Sequence, residues 1–402
     1  MKALKPTVPL SRVVLLLLIA IQAALYGLMW AQVLDDSNLK TMDFVSLYGA
    51  GRLGRAGEYE RLYDLEAQAR VQRQVVASDD YSPLIFNHPP YFVPRLAAIS
   101  VDDYVTAYIL WTLARLAILA LCAALIFVFW RGSGWEAGSA MLGMAGCLLF
   151  FPIFISLLGG QDTVFTLVGL LAWMFALLKK DDISAGLGLA LATLSPTIAG
   201  ALALPLLAAR RRAGLWFLAG TAGLAAYSLW LVGVQGIKGF IRLLGISSQA
   251  QSYGFNRSGM YNLLGILTRN APTLDPELAR RIAWGAAFLS ILILCIWWWK
   301  EREHLGVRHI GIAVLAVTFT SPHLNLHALS ALLLPLLALM TILWERGHRT
   351  SALLFTPAVS TALMLIFIVA PDFSYAASHV LMAVLAYGLC SNPSPARRVS
   401  AA

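Results

Sequence analysis

Long apolar runs organise this chain, in place of alternating or 3.6-periodic stripes. Val13 to Trp30, Tyr104 to Trp130 and Ser351 to Ala370 are each long enough to cross a hydrocarbon core about 30 Å thick, which takes about 20 helical residues. With the shorter runs between them, the pattern predicts a single all-α polytopic membrane domain over residues 1–402, built from about 10–12 transmembrane or half-membrane helices. The first run is longer than a signal-peptide core and lacks a small-residue cleavage site, so it is expected to be a retained helix.

The polar positions punctuate these runs. Basic residues gather at Lys2, Lys5 and Arg12, at Arg131, Lys179-Lys180, Arg210-Arg211-Arg212, Lys300 to Arg308, Glu345 to Arg349, and in the tail 391–402 with Arg397-Arg398. Short basic loops stay cytoplasmic. Threading the chain on that rule works throughout except over 183–208, where both ends are basic. Ser195-Pro196 stands at the middle of that stretch, and proline removes a donor and clashes with the preceding turn. The stretch therefore reads as a hairpin of two short helices returning to the side it left. Irregular backbone at that depth is tolerated where protein or a cavity surrounds it. Five connections then face outward: a first loop over 32–103, a turn at Gly159-Gly160-Gln161-Asp162, a second long loop over 234–280, and turns at Ser321 to Asn325 and Pro371 to Tyr375. Within the first loop, Asp43 to Arg55 and Leu62 to Ala77 have helical apolar spacing and are expected to lie as amphipathic helices on the membrane surface.

Composition agrees. Hydrophobic residues make up 59% of the chain and charged residues only 13%, against about a quarter charged in a soluble domain. The net charge of +9 sits at the ends of apolar runs, which argues for membrane lipids as its partner and against nucleic acid. Cys122, Cys147, Cys295 and Cys390 lie in or near apolar segments without metal-ligand spacing and read as packing residues. No repeat of fixed period and no dinucleotide, P-loop or zinc signature is present, so no cofactor and no metal is expected.

The candidate chemistry lies in the outward connections. Asp43 follows the first span. A partly desolvated carboxylate facing a groove suits general base work; equally, Asp43 or Thr41 can cap the helix that follows. His323 and His327 are four apart after Ser321-Pro322, on one face if Pro322 starts a helix. They suit an anionic ligand better than a metal, which wants three or four ligands, and they also fit a solvated helix end. His88 sits in the stiff turn Asn87-His88-Pro89-Pro90-Tyr91. Asn256-Arg257-Ser258 offers donors, Arg257 being matched to phosphate oxygens. Arg52 and His88 are further groups for that role. Gln161, beside two glycines, suits a sugar hydroxyl or a helix end.

Several of these stretches, taken in order, resemble glycosyltransferase family 87: Asp43-Phe44 with Tyr48, Gly57 and Tyr63-Asp64; His88-Pro89-Pro90-Tyr91; Gly160-Gln161; Ala185 to Ala190; and Ser321-Pro322 to His327. The resemblance runs from about Asp43 to Pro335. It departs from the family at Ser195-Pro196, where a Lys-Pro pair is usual. The resemblance implies a GT-C type fold and a polyprenyl-phosphate-linked hexose donor, with mannose as the sugar. It implies transfer to a hydroxyl of a glycolipid or glycan acceptor on the outer face of a bacterial inner membrane. Asp43 would be the catalytic base, and His327 and Arg257 would face the leaving phosphate. The competing readings are a lipid or solute transporter and a non-catalytic polyprenyl-lipid-binding relative.

Overall fold

The computed structural model describes residues 10–78, 81–249 and 257–391. Among these there is no strand. The chain begins with α1 (Leu10–Val33) and a single turn, α2 (Asp36–Leu39), then enters a compact group of α3 (Phe44–Arg55), α4 (Leu65–Val76) and α5 (Val93–Ile99). The helices α6 (Tyr104–Gly132), α7 (Ala137–Leu148), α8 (Phe151–Leu158), α9 (Thr163–Leu178), α10 (Asp182–Leu191), α11 (Pro196–Ala209) and α12 (Arg211–Gln249) follow. After a short α13 (Leu263–Asn270) come α14 (Pro276–Lys300), α15 (Val307–Thr320), α16 (Leu333–Glu345), α17 (Arg349–Val369) and α18 (Ser374–Ser391).

Among the described residues seven helices are long and apolar enough to cross a membrane: α1, α6, α12, α14, α16 with its leading turn from His327, α17 and α18. The pair α7 and α8, bent by 51°, forms an eighth apolar unit, and α9, α10, α11 and α15 are shorter apolar helices. The protein is a multi-pass all-α membrane protein. Its long helices leave large apolar side chains such as Trp230, Phe288 and Val369 on the outside, as suits helices surrounded by lipid. The run Leu333 to Ile342 in α16 is buried on every side and forms the centre of the bundle.

Lipid tails are as apolar as leucine, so helices in a membrane associate through close packing. Glycines provide it here. A Cβ on Gly186 of α10 would stand 2.3 Å from the carbonyl oxygen of Ala213 in α12, and one on Gly188 would stand 2.7 Å from the Trp173 amide of α9. α10 thus lies in backbone contact with both neighbours. Ser195 ends the α10 arm and Pro196 opens α11 at its first turn, where a missing N–H costs nothing. At the far end of the two arms Arg210 bonds Asp182 at 2.6 Å, so α10 and α11 leave from and return to one level, with Ser195-Pro196 at the tip.

Two segments differ from the sequence expectation. α3 does not lie on a surface: Phe44 to Gly51, Leu53 and Gly54 are all buried. Small residues let neighbours approach the face opposite the large ones; a Cβ on Gly51 would stand 2.8 Å from the Leu96 carbonyl of α5. Residues from 234 onward do not leave the membrane helix as a loop either. α12 bends at Gly233, whose φ of 63° is open to glycine, and continues as helix to Gln249.

Candidate active site

One end of the bundle holds a cavity of about 530 Å³. Five stretches bring polar residues to it: the start of α3, the extended chain before α5 that carries His88, the turn between α8 and α9, the tip of the α10–α11 arms, and the Ser321–His327 stretch. Asp43, His88, Gln161, His323 and His327 all line it, with Asn87, Asp162, Ser195, Thr197 and Asn325.

The α8–α9 turn is the best fixed of the five. α8 ends with a Schellman arrangement: Gln161 N–H bonds the Ser156 carbonyl at 2.8 Å and Gly160 N–H the Leu157 carbonyl at 3.3 Å. Gly160 takes φ of 77°, and a Cβ there would stand 2.4 Å from the Phe44 Cβ, so both backbone and space demand glycine. A face of α6 then secures the carbonyls. Tyr108 donates to Leu158 O at 2.9 Å, Trp111 to Gly160 O at 2.7 Å, and Arg115 to Leu157 O at 2.7 Å and Ser156 O at 3.1 Å. These residues are three and four apart, one stripe of a helix. Arg115 is fully buried. It meets carbonyls instead of a carboxylate, the partners expected at the negative end of a helix.

The turn positions Asp43. Phe44 N–H donates to Gly159 O at 3.1 Å, which docks the start of α3 on the turn, and the Gln161 amide donates to Asp43 Oδ2. Asp43 occupies the N-cap position of α3 yet makes no side-chain cap bond. Its carboxylate is exposed to the cavity with its other oxygen available.

His88 is held from the other side. Gln68 and Gln72 of α4 act as a strand partner for the extended chain before it: Gln68 pairs with Phe86 N–H at 2.9 Å, and Gln72 with both Leu84 N–H at 2.9 Å and Leu84 O at 2.7 Å. Tyr63 donates to His88 O at 2.7 Å. The ring's Nδ1 meets Asp162 Oδ2 at 3.1 Å. Burial works against the charged imidazole, but the adjacent Asp162 charge outweighs it and raises the pKa of His88 above its ordinary value. For Asp162 burial again opposes charge, and His88 outweighs it, holding the carboxyl below its ordinary value.

His323 and His327 reach the cavity differently from the helical pair expected. Pro322 starts no helix; residues 322–326 are extended and turn, and helix begins at His327. The stretch is pinned by Tyr261 N–H to Leu324 O at 2.8 Å and by Asn262 to Ser321 O at 2.6 Å. Burial, and then His327, push the His323 imidazole down to about 4, so it is neutral at pH 7. His327 lies within the fields of Asp43, Asp162 and His88.

Arg52 is not part of this group. It pairs with Asp102 on the far side of α3. Asn256 and the side chain of Arg257 lie outside the described residues. Asp162, the partner of His88, was not singled out from the sequence. Neither was Arg115, a lone arginine within a long apolar run, which by default marks a functional position.

A model of glycosyltransferase family 87 matches residues 86–322, more than half of the chain. No curated protein and no solved structure matches it.

Proposed function

The chain belongs to glycosyltransferase family 87, and from that premise we propose that it moves a hexose, mannose in the first instance, from a polyprenyl-phosphate donor to an acceptor hydroxyl. The acceptor is a glycolipid or glycan, and the reaction takes place on the outer face of a bacterial inner membrane. The observation that carries this reading is the carboxylate of Asp43, turned away from its own helix and held by Gln161 at the edge of a cavity among membrane helices.

Asp43 accepts the proton of the acceptor hydroxyl as that oxygen attacks the anomeric carbon. The bond from that carbon to the phosphate breaks, and its electron pair stays on the phosphate oxygen. His327 faces the developing charge, with Arg257 as a second donor. A sugar delivered on a lipid needs no nucleotide-binding fold, in keeping with the absence of one from the sequence. The sidedness has its own support. α6, α9, α11 and α16 have one end near the cavity and at the other carry Arg131, Lys179-Lys180, Arg210 to Arg212 and Arg346, and basic ends favour the cytoplasm.

The test is turnover by purified protein in lipid, supplied with radiolabelled polyprenyl-phosphate sugars and a mixed glycolipid acceptor fraction. The expected product is a labelled acceptor with release of the polyprenyl phosphate. Transfer from a nucleotide sugar alone, or no transfer from any polyprenyl-linked sugar, would overturn the donor assignment.

A further inference from the structure

Transfer from a phosphate-linked donor leaves negative charge behind, and a site that speeds it needs fixed positive charge or donors where that charge grows. No lysine or arginine lines the cavity among the described residues, and the tip of the α10–α11 arms offers the hydroxyls of Ser195 and Thr197. The groups there that can carry positive charge are imidazoles. His323 is neutral at pH 7, for the reasons given above.

We propose that His88, paired with Asp162 at the edge of the cavity, is the group that binds the donor phosphate and stabilises it as it leaves. The inference rests on the polyprenyl-phosphate reading above. His88 Nδ1 lies 3.1 Å from Asp162 Oδ2, an ion-pair distance without hydrogen-bond alignment, and Nε2 is the nitrogen left for a ligand in the cavity that His88 lines. The pair is also oriented. The side chain of Asp162 is 7% exposed and that of His88 19%, so the negative end lies deeper and the positive end nearer the cavity. The backbone of His88 is fixed by Tyr63, and the chain before it by Gln68 and Gln72, so little reorganisation accompanies the reaction.

As the acceptor oxygen bonds to the anomeric carbon, its proton passes to Asp43 and the phosphate oxygen departs with the bonding pair. The phosphate gains a further negative charge, and the Nε2–H of His88 donates to it throughout without giving up its proton. Asp162 touches no reacting atom; it is a positioning residue that keeps the ring charged and oriented. The titratable groups around His88 are Asp162 on the turn before α9, His327 at the start of the α16 span, Tyr63 before α4, and Tyr91 on its own segment. Tyr91 hydrogen-bonds Thr193 at 3.1 Å.

The experiment measures kcat/KM for a polyprenyl-phosphate sugar across pH, with thermal unfolding as the folding control, for wild type and three variants. His88→Gln keeps a neutral donor but removes the charge and should lose on the order of 10-fold, since a charge-assisted hydrogen bond is roughly twice as strong as a neutral one. Asp162→Asn keeps the ring but not what holds its proton, so the alkaline fall in kcat/KM should move to lower pH. This readout survives even if His88→Gln folds poorly. Adding Ser195→Lys to His88→Gln should restore part of the loss, because it returns a cation to the same cavity. A His88→Gln enzyme as active as wild type, or an Asp162→Asn profile superimposed on wild type, overturns the role of His88. A wild-type protein that turns over no polyprenyl-phosphate sugar overturns the proposed function itself.

Discussion

Asp64, Asp103, Asp181 and Asp275 each stand just before a helix, and each accepts hydrogen bonds from amides of that helix's first turn. Asp43 and Asp162 stand in the same position before α3 and α9 and accept none. Capping is the default use of an aspartate there and contributes about 1 kcal/mol. At the cavity the chain forgoes it. Phe44 N–H takes Gly159 O instead, and the carboxylate of Asp43 turns to Gln161 while that of Asp162 turns to His88. The same residue in the same local position is structural elsewhere in the molecule and turned into the cavity here. Only the neighbouring chain separates the two cases.

The comparison depends on the α6 stripe that holds the turn, so breaking that stripe should have the largest effect. Arg115→Met removes the donors to Ser156 and Leu157, and carbonyls deprived of donors in a buried site cost roughly 1–3 kcal/mol. Thermal unfolding should fall markedly and transfer should be lost with it. An Arg115→Met variant with the melting point and turnover of wild type would show that the turn holds its shape unaided. Next comes Gln161→Leu, which leaves the fold but frees the Asp43 carboxylate. A misplaced reacting group costs on the order of 10²-fold, so turnover should drop by that much at an unchanged melting point.

Asp162→Asn should reveal the ion pair in stability as well as in rate. His88, raised, contributes stability fully below its ordinary 6.5 and loses it as pH climbs through its higher folded value. Asp162, lowered, contributes above its ordinary 3.8 and loses it as pH falls through its lower folded value. The gap in melting point between wild type and variant should be widest between pH 3.8 and 6.5 and close as the solution becomes alkaline. A gap independent of pH would mean that no ion pair forms. The smallest effect belongs to a true cap. Asp64→Ala should lower stability by about 1 kcal/mol and leave turnover per folded molecule unchanged; a loss of turnover would blur the distinction between the two groups of aspartates.

Much of this was legible in the sequence, for identifiable reasons. Apolar run length shows the spans directly, and Ser195-Pro196 marks a break that any helix must respect. Asp43, His88, Gln161, His323 and His327 stand out as polar residues in connections between apolar runs, and the fold brings all five to one cavity. The pairings were not legible. His88 and Asp162 come from separate connections, and nothing local distinguishes an aspartate that caps from one that reaches across. Arg52 misled for the opposite reason: it shares α3 with buried residues, yet its partner Asp102 lies away from the cavity. α3 was misread because glycines hide a second packing face. Gly49, Gly51 and Gly54 carry no hydrophobic signal, but they admit α4 and α5 against the backbone.

The central claim is that Asp43 serves as a base and not as a cap, and Asp43→Asn tests it most directly. Asparagine matches aspartate in shape and ranks beside it as an N-cap, so the two roles separate cleanly. Donor binding, turnover and melting point would be measured on one purified preparation. The account predicts an unchanged melting point and unchanged donor binding, with turnover reduced by at least the roughly 10²–10⁴-fold expected on losing a general base. Turnover near that of wild type would contradict it.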